Sequence, residues 1–305
     1  MRSEPYWIVE RLPGEDEAAH ALRAGRVYFS AQQEENIEWW RRIGSPIDLV
    51  GKSVLDIGCG HGALSLDAAA RGAIEVLGID LDASRVAFAV QHRQECCPEL
   101  GERVRFLALP VAALAASAGF DVVLSKDTFE HVADLGQMLH DIAARTKPGG
   151  LLVAGFSPLY YSPNGDHGRY GLPLPWLHAV LPQKWVLRWA SHRLGRPIRT
   201  SQDVGLNRLA LPEFRRLLHR AGWVTVSLRV NPIENRLRPL IELCRRIPGL
   251  ARLFTIGVYG VFVRQPVPSA DHRPRTFETA CSLSNSAAAG ARARPSRAAR
   301  AIWDR

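Results

Sequence analysis

The central half of the chain alternates short apolar runs with stretches of helical period. Apolar runs at 54–57, 74–79, 104–107, 120–124 and 151–156 read as strands, and the stretches 63–70, 84–96 and 132–145 between them read as helices. The runs are mostly apolar, broken by the single charges Asp56, Glu75, Arg105 and Asp121, as expected of strands covered on both faces. Strands and helices taking turns at this spacing predict βαβ units, hence a mostly parallel sheet with helices on both sides. A helix at 212–221 and strands at 224–230 and 255–263 complete a seven-stranded α/β fold of the doubly wound, Rossmann-like class.

Punctuation residues divide the rest. Lys147-Pro148-Gly149-Gly150 is expected to end a helix and launch the fifth strand. Residues 157–211 then run long without clean periodicity and are rich in Pro, Gly, Trp and Arg, as expected of a helical lid inserted after strand five. Its aromatics, Tyr160, Tyr161, Trp176, Trp185 and Trp189, stand among Arg169, Arg188, Arg193 and Arg196. Two readings stay open there: the Trp residues form the lid's own core, or they cap a flat or lipidic ligand or rest on a membrane surface. Residues 1–50 read as a helical preamble broken at Gly44-Ser45-Pro46, 51–265 as the main domain, and 266–305 as a disordered basic tail.

Composition narrows the function classes. The formal charge of +9 points toward polyanions, but the last forty residues hold seven Arg against three acids, so the body is only mildly basic. The five cysteines are odd in number and lack CxxC spacing, which argues against a disulfide framework or a zinc site and fits a cytoplasmic protein. The first residues carry charges throughout with no apolar core, so no secretory signal is expected, and no run is long and apolar enough to span a bilayer.

The densest chemistry lies in VLDIGCGHG, residues 54–62, where a buried strand meets a glycine-rich turn and then a helix. Gly58, Gly60 and Gly62 allow a sharp bend and close approach of backbone to a ligand. A second strand ends at Asp80, eighteen residues beyond Gly62, where a carboxylate can accept hydrogen bonds from both hydroxyls of a ribose. The glycines run GxGxG, not the GxGxxG of dinucleotide sites, and Asp56 precedes them by two residues.

Together with FDVVLSKDTFEHV at 120–132 and KPGG, this arrangement resembles the class I S-adenosylmethionine-dependent methyltransferases, in particular small-molecule O-methyltransferases that carry an EHV motif. The resemblance spans about 53–156 and, in outline, 211–264. It implies that S-adenosylmethionine is the cofactor, with Asp56, Gly58, Cys59, Gly60 and Gly62 along its methionine end. It implies ribose binding by Asp80 and Leu81, adenine contact through the backbone of Ala108 or Leu109, and Ser125 and Lys126 at the strand tip facing the cofactor. The family often has an Asp after the third strand for the adenine amino group; here the chain reads FLALP.

Asp127, Glu130 and His131 stand at i, i+3 and i+4, so a helix there would set them on one face. Three readings remain open. His131 is a general base, supported by Asp127 and His167; or Asp127, Glu130, His131 and His167 ligate a divalent metal such as magnesium, since DxxEH is similar to the ExxEH pattern of eukaryotic ubiquinone-biosynthesis and plant small-RNA methyltransferases; or the acids merely favour a helix N-terminus. The expected reaction is methyl transfer to an oxygen of a phenolic, glycan or lipid-linked small molecule. The alternatives are ribose 2′-O-methylation of RNA, and an NAD-binding dehydrogenase or non-catalytic nucleotide sensor on the same sheet.

Overall fold

The computed structural model describes residues 9–232 and 238–265; the expected tail, 266–305, lies outside them. In chain order the elements are α1 (Glu17–Ile43), β1 (Ser53–Ile57), α2 (Ala63–Ala70), β2 (Glu75–Asp80), α3 (Ala83–Cys96), β3 (Val104–Ala108), β4 (Phe120–Lys126) and α4 (Leu135–Arg145). There follow β5 (Thr146–Phe156), α5 (Leu177–Val180), α6 (Gln183–Leu194), α7 (Leu211–Arg220), β6 (Trp223–Val230), α8 (Arg238–Arg246) and β7 (Val258–Arg264). The seven strands form one sheet in the order β3-β2-β1-β4-β5-β7-β6, parallel except for β7, which runs antiparallel to both neighbours. The expected doubly wound architecture is therefore present.

Strand alternation splits the core between the two faces. Val54, Val76, Val122 and Val153 pack toward α1, α2 and α3, whereas Leu55, Leu77, Val123 and Leu152 pack toward α4 and α7. The strand order reverses between β1 and β4, so the crevice beyond their carboxyl ends is where such sheets bind ligands.

Boundaries differ from the sequence reading where side chains compete with the period. The helix expected from residue 132 starts at Leu135, because Asp134 caps it by accepting from the Gln137 amide at 2.9 Å. The last strand begins at Val258 and not at 255; Asn231 Oδ1 accepts from the amides of Ile256 and Gly257 at 2.7 and 3.2 Å and holds that segment as a loop. Lys147–Gly150 bulges out within β5: Thr146 already pairs with Phe120, and pairing resumes at Leu151 with Val122.

The expected N-terminal helix is present and packs against the main sheet. Asp16 caps its start and left-handed Gly44 its end, and between them Phe29, Trp39 and Ile43 enter the same core as Val54 and Val76. The Trp39 indole donates to the Gly155 carbonyl at 3.1 Å, so α1 is bolted to the carboxyl end of β5. The 157–211 segment has its own small core of Tyr160, Tyr170, Val186, Ala190, Ile198 and Leu206. Trp185 and Trp189 are not in it, at 59 % and 49 % exposed, because α6 turns Val186 and Ala190 inward instead. Among the described residues no helix is long and apolar enough to cross a membrane.

Truncating Trp39 to Ala should lower the free energy of unfolding by about 3–5 kcal/mol. The readout is the urea midpoint at unchanged slope; a loss below about 1 kcal/mol would make α1 an appendage after all.

Candidate active site

β1 leaves the sheet at Ile57 and the chain turns back through Gly58, whose amide, with that of Cys59, donates to the Ile79 carbonyl of β2 at 2.8 and 3.0 Å. Gly58 has φ of 72°, and a Cβ there would collide with the Thr128 hydroxyl beyond β4. At Gly60, φ 51°, a Cβ would meet nothing, so that stretch of backbone faces open space. The space is a cavity of about 680 Å³.

Asp56, Gly58, Cys59 and Gly60 line the cavity, as do Asp80, Leu81, Lys126, Asp127 and His131. Three expected cofactor residues do not. Gly62 serves packing: its missing Cβ leaves room for Phe106 and Ala89 where α2 meets the sheet. Ser125 is buried, its hydroxyl 3.5 Å from the Ile57 carbonyl. Ala108 pairs with Asp80 at the strand tip but is exposed outside the cavity, which is lined instead by Leu109 to Ala112 just beyond it.

Burial sets the charge states. Asp56, 1 % exposed, accepts from the Ser65 hydroxyl at 2.6 Å, yet loss of solvent pushes its pKa up to about 7. Asp80 accepts from the amides of Gly60 and Asp82, both at 2.9 Å, which fixes the carboxylate across the turn. His61, with ring centroids 4.8 Å from Tyr28 and 4.9 Å from Phe88, has a buried Nδ1 without a partner; burial lowers its pKa to about 4.

Sequence reasoning missed the wall contributed by α1. Tyr28, Gln32 and Asn36 line the cavity from one helix face, and their spacing of four was the signal available. Lys126 ties that wall to β4: its ammonium donates to Gln32 Oε1 at 2.9 Å and Asn36 Oδ1 at 3.0 Å, with Glu35 at 3.5 Å.

The DxxEH segment is not a helix. Asp127 sits in the left-handed region at φ 47° and its carboxylate accepts from the Ser157 amide at 3.2 Å, while Phe129–His131 makes one tight turn. Asp127 therefore leaves the set expected to share a face, and Glu130, His131 and His167 come together instead, with one ligand atom from each within 4.8 Å of the others. The insertion holds this turn: Asn207 Nδ2 donates to the carbonyls of Phe129 and Val132 at 2.6 and 2.9 Å. His131 Nδ1 lies 2.9 Å from the Gly205 carbonyl, and His167 Nε2 lies 3.2 Å from that of Pro158. A nitrogen facing a carbonyl must donate, so the neutral rings keep lone pairs on His131 Nε2 and His167 Nδ1.

Glu130 is 3 % exposed and neither carboxylate oxygen has a hydrogen-bond partner. Burial, and next the charge of Asp127, raise its pKa well above the usual carboxylate range. Burial lowers His131, and it takes His167 to about 4 with help from His131. The cluster is thus a desolvated carboxyl between two neutral imidazoles, at the junction of the cavity and the insertion.

The Methyltransferase domain family model matches residues 54–150. The chain is 31 % identical over 202 residues to the ubiquinone biosynthesis O-methyltransferase of Acinetobacter baumannii (strain ACICU), covering 62 % of this chain and 78 % of that protein. It is 34 % identical over 214 residues to the protein of the same name from Psychrobacter cryohalolentis, covering 69 % and 72 %. Among solved structures, a putative S-adenosylmethionine-dependent methyltransferase from Listeria monocytogenes superposes with a TM-score of 0.51 at 21 % identity, covering 75 % of this chain and 98 % of that one. The dinucleotide and non-catalytic readings fall with these matches. A GxGxG turn over an open crevice, an acid at the next strand tip and this kinship agree, and the chain belongs to the class I S-adenosylmethionine-dependent methyltransferases.

Proposed function

We propose that this enzyme transfers the cofactor's methyl group to a hydroxyl oxygen of a small phenolic acceptor with an apolar body, and that Glu130, His131 and His167 form the acceptor side of the site. The observation that carries this reading is the buried, unpartnered Glu130 carboxyl between two histidines with free lone pairs, beside the cavity that His131 lines. The kinship to O-methyltransferases supports oxygen as the acceptor atom.

In this assignment Asp56 and the Gly58–Gly60 backbone hold the cationic methionine end, Asp80 and Leu81 the ribose, and Leu109 to Val111 the adenine. Transfer is an in-line displacement: the acceptor oxygen bonds to the methyl carbon as the carbon–sulfur bond breaks, and S-adenosylhomocysteine leaves. The protein's part is to align the two reactants and to take up the hydroxyl proton. His131, kept neutral by burial and oriented by the Gly205 carbonyl, offers Nε2 as the proton acceptor.

The cluster also fits a divalent cation. Both imidazoles are oriented by carbonyls on the nitrogen away from the cluster, as metal-bound histidines commonly are, and neither Glu130 oxygen has a hydrogen-bond partner. Two nitrogens and one carboxylate suit manganese, iron or zinc better than the expected magnesium. A bound ion would lower the pKa of a coordinated phenol and so favour the nucleophilic phenolate. The four described cysteines are free thiols, which supports a cytoplasmic enzyme.

Two measurements check the reading. Chelator treatment should lower turnover on catechol by about 100-fold or more, manganese should restore it better than magnesium, and Glu130→Gln should abolish metal retention in elemental analysis. Full activity in metal-free protein would leave His131 as the sole base. The second concerns Asp56, protonated in the free enzyme below its pKa of about 7. A cationic methionine end beside it favours the carboxylate, so binding expels a proton at lower pH. Affinity for S-adenosylhomocysteine should therefore rise from roughly pH 5 to 7 and level off above, with the dependence flattened in Asp56→Asn; calorimetry in two buffers reads both affinity and proton release.

A further inference from the structure

Arg169 follows His167 by two residues, and the left-handed pair His167 and Gly168, φ 52° and 71°, folds the chain tightly between them. A left-handed residue other than glycine is strained, and such strain gathers at functional sites. The Arg169 amide donates to the Asp166 carbonyl at 2.8 Å and its Nη1 to the Val204 carbonyl at 2.6 Å. The guanidinium thereby lies against Gly205, where a Cβ would collide with Nη1. The Gly205 carbonyl is the one that faces His131 Nδ1 at 2.9 Å, so one residue of the insertion touches both the cation and the imidazole. The positive charge reaches the whole cluster, disfavouring protonation of His131 and His167 and favouring ionisation of Glu130.

Among the described residues Arg169 is in no ion pair, and its Nε and Nη2 make no hydrogen bond. Arg85, the other cation felt by His131, is already paired with Asp82 at 3.2 Å. Glu130, the acid that Arg169 feels, is itself driven toward the neutral form by burial. Loss of solvent disfavours the guanidinium charge, yet the residue stays exposed enough for a ligand to reach it. A partly desolvated cation without a counter-ion is stabilised by an incoming anion. The edge formed by Nε and Nη2 presents two parallel donors in one plane, which match the two oxygens of a carboxylate. We propose that Arg169 holds a carboxylate of the acceptor by this edge while the acceptor's hydroxyl lies at His131 Nε2, so that the substrates are phenolic acids of the hydroxybenzoate class. Two anchors on one ring also fix which hydroxyl meets the methyl group. This deepens the acceptor reading given above and rests on it.

The test is calorimetric titration of the full chain, loaded with S-adenosylhomocysteine, with 3,4-dihydroxybenzoate and with catechol, the same diphenol without the carboxylate. The wild type should bind the acid at least about tenfold more tightly. Arg169→Met should bring that ratio to about one, and Arg169→Lys, which keeps the charge and loses the fork, should leave it in between. Turnover gives a second readout: the wild type should methylate the acid at one hydroxyl only, and Arg169→Met at both. Equal affinity of the wild type for the two ligands overturns the proposal. So does a preference that survives in Arg169→Met, which would place the carboxylate elsewhere, and so does a parallel loss of both ligands in Arg169→Met and Arg169→Lys, which would make Arg169 a brace of the turn. Arg169-dependent binding of the acid without any methyl transfer would uphold the carboxylate site and count instead against the acceptor reading.

Discussion

The bend at Gly58 is the constraint on which the site depends. There the backbone leaves β1, donates across to β2 and passes beneath Thr128, which follows β4, with no space for a Cβ. Three strand ends are thereby held at fixed distances at the point where the strand order reverses. Thr128 is in turn pinned, its hydroxyl donating to the Lys126 carbonyl at 2.9 Å. The same turn that opens the cofactor crevice thus sets where Lys126, Asp127 and the Glu130 turn begin. A side chain at position 58 would displace Thr128 and with it the turn that carries Glu130 and His131.

Around that bend the protein holds titratable groups away from water and leaves their charge for ligands to complete. Asp56 and Glu130 are driven toward the neutral acid, and His61, His131 and His167 toward the neutral base, all chiefly by burial. A cationic sulfonium cofactor beside Asp56, and a proton or cation at Glu130, would each restore a favourable pairing. Such poised groups cluster where proteins do chemistry. The Lys126 ammonium shows the complementary solution, being buried but hydrogen-bonded to two amide oxygens from α1.

Two segments outside the central βαβ pattern shape the site. α1 closes one side and is held by Trp39 at β5 and by Lys126 at β4. The insertion holds the 129–132 turn beside it, Asn207 through two backbone carbonyls of the turn and the Gly205 carbonyl through the His131 ring. Because Asn207 grips main-chain carbonyls, it fixes the turn's shape with little dependence on its side chains, while the Gly205 carbonyl orients the His131 ring.

The sequence by itself determined the sheet, its winding and the cofactor turn, because buried parallel strands, a GxGxG bend and an acid eighteen residues on are local patterns with few structural solutions. The same local pattern sets Asp56, Gly58, Gly60 and Asp80 around the cavity. Gly62, Ala108 and Ser125 stand outside the cavity lining, a matter of packing at the turn and strand ends that the pattern along the chain does not carry. Only the tertiary structure decided that Asp127 leaves the Glu130–His131 pair and that His167 joins it. Those positions are set by the left-handed Asp127, by the Gly205 carbonyl and Asn207 amide some seventy residues beyond the turn, and by the Pro158 carbonyl at His167, and no periodicity along the chain encodes them. The fate of the tryptophans was likewise undecided in one dimension, since the spacing of Trp185 and Trp189 suits either face of α6 and the packing of Val186 and Ala190 chose between them.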